Sequence, residues 1–154
     1  MKFIIPTLIL SSFLLTACGA SQQPANTAQS MVNQNQKLID ELKKGAPLYF
    51  NKNSSEIDAK YMVYLSAAAD VLNHNPHFVL VLQGYTDSSG AAMVNKRIAL
   101  TRANSVRSQL VTQYGVSPEQ IIAEGVGSAN PIASNDTADG RALNRRVVAT
   151  LKIR

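Results

Sequence analysis

A continuous apolar run from Phe78 to Leu82 is the feature that most constrains how this chain can fold. A run of this kind is typical of a central strand whose two faces are both covered. Apolar residues at helical spacing stand before and after it along the chain. Because helices pack on the faces of such a strand, the run predicts an α/β layer architecture.

Two helices and three further strands complete the predicted domain. Apolar residues recur every three or four positions from Ile57 to Leu72, which indicates an amphipathic helix with Ser54 or Ser55 as its N-cap. The strands fall at residues 46–50, 77–85, 121–124 and 145–153, and a short helical turn falls at 141–144. With the second long helix placed between the two middle strands, the predicted order is β-α-β-α-β-β, an α/β (α+β) fold.

The second long helix, from just after Gly90 to Tyr114, carries a charged residue on its apolar face. At about 100° per residue, Asn95 and Arg102 fall within the apolar arc. Burial of an unpaired cation is costly, so Arg102 needs a partner. Gly115 follows as the C-terminal stop. The apolar arc consists of Ile98, Ala99, Ala103, Val106, Leu110 and Tyr114.

A carboxylate stands where the central strand ends. The strand runs into Gly84-Tyr85-Thr86-Asp87 and turns before the helix that carries Arg102. A carboxylate at a strand end and a guanidinium on the inward face of the next helix predict a pocket for a zwitterionic ligand. Other interpretations stay open, because Asp87 could cap the following helix and Arg102 could form a structural ion pair, with Asp87 among its candidate partners.

The first 17 residues are predicted to be a lipoprotein signal peptide. A positive Lys2 precedes an apolar stretch at residues 3–15, which is too short to span a bilayer as a helix. Leu-Thr-Ala-Cys at residues 15–18 resembles the bacterial lipobox, whose cysteine receives acyl chains such as palmitate and becomes the first residue. Cys18 is the only cysteine, so lipidation would leave no free thiol. Gly19, in place of an inner-membrane retention aspartate, favours the outer membrane.

Residues 18–45 are predicted to form the lipidated N-terminus and a flexible tether. Residues 19–30 are small and polar and bury too little apolar surface to offset the entropy of ordering. A short helix at 31–44 leads into a domain of residues 46–154. The net charge of +5 could suit nucleic acid, but export makes wall polymers and anionic membrane surfaces the expected partners, without nucleic acid.

Residues from about 48 to 152 resemble the OmpA-like peptidoglycan-binding domain, which also occurs in peptidoglycan-associated lipoproteins and flagellar-motor stator proteins. The resemblance implies two helices on a mixed four-stranded sheet. One departure is Ala99, where the family often has serine. The matching residues are Phe50, Asn51, Asn53, Gly84-Tyr85-Thr86-Asp87, Gly90, Asn95, Ile98, Arg102-Ala103, Val106, Gly125, Gly127, Pro131, Gly140-Arg141-Ala142 and Asn144-Arg145-Arg146-Val147.

The resemblance also implies a ligand, the diaminopimelate residue of the peptidoglycan stem peptide. The free end of diaminopimelate carries an ammonium and a carboxylate on one carbon, so Asp87 would accept from the first and Arg102 would donate to the second. The implied ligand-binding residues are Asp87, Arg102, Asn53, Asn95 and Thr86, with Arg145 and Arg146 as secondary candidates or as structural residues at the start of the last strand.

The predicted function is therefore non-covalent binding of the cell wall by a lipid-anchored protein of the outer membrane that faces the periplasm. One alternative is an envelope module that binds proteins of a larger assembly. The other is an enzyme acting on the wall, but glycan cleavage usually needs two facing carboxylates and only Asp87 stands in a suitable motif. No cofactor or metal is expected, since His74 and His77 lack further ligands nearby and are predicted to lie on the surface.

Overall fold

The computed structural model describes residues 23–154. The predicted signal peptide and Cys18 therefore lie outside the described residues. Short 3₁₀ turns at Ala59–Tyr61 and Pro118–Gln120 precede the second helix and the third strand. The elements are α1 (Gln23–Lys44), β1 (Ala46–Tyr49), α2 (Met62–His74), β2 (Phe78–Tyr85), α3 (Ala92–Tyr114), β3 (Ile121–Gly127), α4 (Ala138–Asn144) and β4 (Arg146–Ile153).

The four strands form one mixed sheet in the order β1-β4-β2-β3. Strands β2 and β3 are parallel, and β4 runs antiparallel to both β1 and β2. Gly84 near the end of β2 pairs with Val147 near the start of β4, and Tyr49 at the end of β1 pairs with Arg146. The predicted fold class is confirmed. This register brings the end of β1, the end of β2 and the start of β4 together at the same end of the sheet.

The helices cover one face of the sheet rather than the two expected from the apolar run. Leu80 and Leu82 of β2 join the core together with residues of α1, α2 and α3. Val79 and Val81 point to the other face and are buried outside that cluster. On this second face Val81 is paired with half-buried Thr150 and with exposed Ile122. On this face, residues of the neighbouring strands therefore shield the two valines. The sequence pattern predicts that helices would cover them instead.

Helix α1 corrects the predicted tether and domain boundary. It begins at Gln23, whereas the sequence predicts coil as far as residue 30. Alanine and glutamine are good helix formers, and Pro24 is tolerated in a first turn because its missing N–H would have no helical partner. Leu38 and Leu42 lie in the hydrophobic core, with exposed fractions of 7% and 1%. The packed domain thus includes the end of α1 and does not begin at residue 46.

Helix α2 begins later than predicted, and its cap differs. Asp58 accepts from the backbone N–H of Lys60 at 3.0 Å and caps the 3₁₀ turn before α2, so the predicted caps Ser54 and Ser55 are wrong. Ser54 instead accepts from the backbone N–H of Glu56. The hydroxyl therefore stabilises the loop between β1 and α2, which contributes to the site described below.

Helix α3 follows its predicted phase and lies unusually close to β2. Its buried residues include Asn95 and Arg102, and it ends at Gly115 in the left-handed conformation (φ 67°). A Cβ atom placed on Gly84 would lie 2.0 Å from the backbone oxygen of Ala99. Only a residue without a side chain permits this approach, which fixes the distance between α3 and the end of β2.

Candidate ligand-binding site

A small polar cavity lies at the sheet edge where β2 ends and β4 begins. Its volume is about 60 Å³. Three segments supply its walls: the loop after β1, the turn after β2 and the inward face of α3. The lining residues are Lys52, Asn53, Thr86, Asp87, Ser89, Asn95, Ile98, Arg102 and Arg145.

Arg102 reaches the cavity from α3 and is 1% exposed. Its Nε donates to the carbonyl of Ser54 at 2.9 Å, and its two terminal nitrogens donate to the carbonyls of Asn51 at 3.1 Å and Tyr85 at 3.3 Å. The guanidinium also lies over the ring of Phe50, 5.5 Å from its centre. None of the ion pairs within residues 23–154 includes Arg102.

This arrangement leaves the positive charge of Arg102 available to a ligand. A guanidinium has five N–H donors, and backbone carbonyls accept from three of them, so two remain. Burial and the charge of Arg145 lower the pKa of Arg102, while Asp87 acts in the opposite direction. Arginine nevertheless stays protonated in proteins. The cavity therefore contains a buried cation, Arg102, whose hydrogen-bond acceptors are all neutral backbone carbonyls.

Asp87 pairs with Arg145, not with Arg102. One carboxylate oxygen accepts from Nη1 of Arg145 at 3.0 Å, and the other accepts from the backbone N–H of Ser89 at 3.0 Å. Nε of Arg145 donates to the carbonyl of Phe50, which fixes the guanidinium at the wall. Burial would raise the pKa of Asp87, but the hydrogen bonds from Arg145 and Ser89 outweigh it and hold that pKa below its usual value of 3.8.

Asp87 therefore stays ionised at neutral pH as one half of an ion pair with Arg145. The expectation that Asp87 caps the next helix is wrong, because α3 has Ala91 at its N-cap and no side-chain cap. The suggested ion pair of Asp87 with Arg102 is wrong as well. Arg145 is better placed because its side chain, like that of Asp87, is largely buried at the same wall, with exposed fractions of 14% and 9%.

The remaining predicted residues also lie at the cavity. Asn95 is 2% exposed and donates weakly, at 3.4 Å, to the carbonyl of Gly90. Asn53 turns the loop after β1 with a positive φ of 56°. The Thr86 side-chain oxygen is the one buried side-chain polar atom in residues 23–154 without a hydrogen-bond partner. An unsatisfied buried hydroxyl is unfavourable, so Thr86 is ready to bond a ligand.

Arg146 does not line the cavity, although it follows Arg145. Arg145 is the C-cap residue of α4, whereas Arg146 is the first residue of β4. Arg146 stacks over the ring of Tyr85 at 4.1 Å and donates to the carbonyls of Asn130 and Asn144. The predicted alternatives are thus divided between the two arginines: Arg145 belongs to the cavity and Arg146 braces the loop after β3.

Asn144 is a supporting residue whose role the sequence does not reveal. It is fully buried, its Oδ1 accepts from the backbone of Ile132 and Ala133, and its Nδ2 donates to Asn135 at 3.0 Å. Asn135 in turn accepts from the backbone N–H of Ser88 at 3.1 Å. These hydrogen bonds hold the turn that carries Asp87 in place through Ser88, the residue next to Asp87. The sequence signals of Asn144 are its adjacency to two arginines and its place among the residues that carry the family resemblance, and neither indicates this role.

Two further properties of residues 23–154 bear on what this part of the chain can do. No helix among them has both the length and the hydropathy needed to cross a membrane. The same residues contain no group of three or more His, Cys, Asp or Glu side chains placed to bind a metal ion. His74 and His77 are exposed, as predicted.

Comparison with known proteins places the cavity in a recurrent domain. Residues 49–145 match the OmpA family. The chain is 37% identical over 118 residues to outer membrane protein Omp38 of Acinetobacter baumannii. The aligned region covers 77% of this chain and 33% of that protein. It is 32% identical over 131 residues to the peptidoglycan-associated lipoprotein of Buchnera aphidicola, covering 82% of this chain and 75% of that one.

A solved structure agrees with these sequence matches. The crystal structure of the peptidoglycan-associated lipoprotein from Burkholderia pseudomallei superposes with a TM-score of 0.66 and 28% identity, covering 69% of this chain and 89% of that one. Since this chain spans only about a third of the length of Omp38, it shares one part of that protein.

Proposed function

This chain belongs to the OmpA family, and from that membership and the geometry of the cavity we propose that it binds peptidoglycan non-covalently through the diaminopimelate residue of the stem peptide. Omp38 is named an outer membrane protein, and the Buchnera relative is named a peptidoglycan-associated lipoprotein. The relatives support a role at the cell wall. The identity of the ligand is what the resemblance to the family implies, and the charges of the cavity support it.

One observation carries the proposal: a carboxylate, a buried guanidinium with two free donors and an unpaired hydroxyl all meet in one small cavity. The ligand ammonium would donate to Asp87, and the carboxylate on the same carbon would accept from Arg102. Thr86 and the amides of Asn53 and Asn95 line the same cavity and would orient the ligand. The volume of about 60 Å³ admits one end of diaminopimelate and leaves the rest of the stem peptide outside.

Competition for purified sacculi tests the ligand. The full chain is expected to sediment with sacculi and to be released by excess meso-diaminopimelate. The matched control is a pair of stem tripeptides, one with diaminopimelate and one with lysine at the third position, because the lysine side chain ends in an ammonium without the carboxylate that Arg102 would bind. Release by the lysine peptide as effective as release by the diaminopimelate peptide, or no release by either at saturation, contradicts the proposed ligand.

Binding is favoured over catalysis by the charge of the cavity. Among its lining residues Asp87 is the single carboxylate, and it is tied to Arg145. Glycoside hydrolases usually use two carboxylates, one of which holds a proton in the resting enzyme. Because the pKa of Asp87 is lowered, Asp87 is unsuited to be the carboxylate that holds a proton. The alternative function, a module that binds envelope proteins, stays a prediction.

We extend the proposal to the membrane: Cys18 carries lipid, and the domain faces the periplasm from the outer membrane. Two or more acyl chains anchor a protein firmly, whereas one gives marginal attachment. A Cys18→Ser variant is expected to lose incorporation of labelled palmitate and to leave the membrane fraction. Since the chain has no other cysteine, residual label in the variant would contradict acylation at this residue.

A further inference from the structure

The cavity carries more positive charge than a zwitterion can neutralise. Its lining includes three cationic residues, Lys52, Arg102 and Arg145, and one carboxylate, Asp87, which leaves an excess of two positive charges. Arg145 is already paired with Asp87 at 3.0 Å. The end of diaminopimelate has no net charge, so its binding does not change this excess. The charge balance fits a ligand with further carboxylates.

Resting on the proposed function, we propose that Lys52 binds a second carboxylate of the same stem peptide at the mouth of the cavity. Two groups could supply it: the free carboxylate of the glutamate that precedes diaminopimelate, and the C-terminal carboxylate of the peptide. Both would lie outside the cavity when the diaminopimelate end is inside, because a volume of about 60 Å³ leaves no room for more of the peptide. Lys52 would thereby select stems in which this carboxylate is not amidated.

Lys52 has no ion-pair partner within residues 23–154, whereas the nearby Lys60 has one. Lys52 is exposed on the loop after β1 and takes part in none of the ion pairs formed within residues 23–154. Lys60, which lines an adjoining cavity of about 500 Å³ that shares Arg145, is paired with Asp58 at 3.0 Å. Of these two lysines, Lys52 alone has its charge available where the ligand emerges.

The loop that carries Lys52 is held in place by the residues that build the cavity. Arg102 donates to carbonyls on both sides of Lys52 and Asn53, at Asn51 and at Ser54. Asn53 adopts a left-handed turn next to Lys52. Since the backbone on both sides is fixed, only the lysine side chain has to be ordered by the second carboxylate. The entropic cost of this contact is therefore confined to one side chain.

Calorimetric titration with synthetic stem tetrapeptides tests the inference on the full chain. One peptide has both further carboxylates free, a second is amidated at glutamate and a third at the C-terminus. An exposed ion pair changes affinity by about two- to fivefold, so one of the two amides is expected to weaken binding to the wild-type protein by that factor. The position of the effective amide identifies the source of the carboxylate. The difference should shrink at about 1 M salt.

The Lys52→Gln variant is expected to bind the free and the amidated peptides equally, at the affinity of the wild type for the amidated one. The matched control is Lys152→Gln, an exposed lysine of β4 that is paired with Val79 at the far end of β2 and should leave the discrimination unchanged. Equal binding of all three peptides by the wild type, or unchanged discrimination in Lys52→Gln, overturns the inference while leaving the proposed function intact. Failure of the wild type to bind any of the peptides contradicts both.

Discussion

Replacing Asp87 with alanine is expected to abolish sedimentation of the protein with sacculi at concentrations where the wild type is largely bound. A hydrogen bond to a charged group contributes about 1.5–3 kcal/mol, which corresponds to roughly a 10- to 100-fold loss of affinity. The substitution also removes the partner of Arg145, whose guanidinium could then move within the cavity. Binding would be measured as the fraction pelleted against sacculus concentration.

Two further variants separate loss of binding from loss of folding. Asp87→Asn keeps the size of the side chain and an oxygen that can accept from Ser89, but it removes the negative charge. Asp70→Ala removes an exposed carboxylate of α2 that is paired only with His74, and should pellet like the wild type. If Asp87→Asn folds and pellets as well as Asp70→Ala, the ammonium site is assigned wrongly.

Gly84→Ala is expected to destabilise the fold severely, although it adds only one methyl group. The new Cβ would lie 2.0 Å from the backbone oxygen of Ala99, so α3 and β2 would have to separate. Losses above about 4 kcal/mol arise from a few mechanisms, of which overpacking of a core is one. For a domain of this size, such a loss lowers the melting temperature by roughly 10 °C or more.

Gly115→Ala is the matched control for this prediction. Gly115 has a positive φ of 67°, but a Cβ atom there would meet nothing within 4 Å. The cost should therefore be only that of the left-handed backbone, about 1–2 kcal/mol. Urea denaturation of both variants gives the comparison. A Gly84→Ala protein as stable as Gly115→Ala would mean that α3 can move away from the sheet at little cost.

Local periodicity predicts the strands, the helices and the burial of Arg102, whereas the mixed sheet and the site roles of Asn53 and Thr86 follow only from the family resemblance. The phase of α3 places Arg102 among apolar residues, and that conflict alone indicates a buried cation. Its partners could not be predicted, since backbone carbonyls carry no sequence signature. The carbonyls of Asn51 and Ser54 lie about 50 positions from Arg102 along the chain.

The ion pair of Asp87 with Arg145 joins residues 58 positions apart, and nothing in local spacing reveals it. The sequence places Arg145 and Arg146 side by side at the start of the last predicted strand, but it does not indicate which of them faces the cavity. Composition also misleads at α1, because a polar segment with few apolar side chains is compatible with helix as well as with coil. Its last turns are held by Leu38 and Leu42, contacts that only the tertiary structure supplies.

The attachment of Arg102 to α3 has a mechanical consequence. Under the proposed function, a ligand that is part of a wall polymer would pull on its binding residues whenever wall and membrane move apart. Through Arg102 that tension would pass into a helix of 23 residues that packs along β2 and β3, not into a loop. From the sheet it would continue through β4 into α1, the first described element. Within residues 23–154, the path of force from the cell wall toward a membrane anchor at Cys18 would therefore run through regular secondary structure.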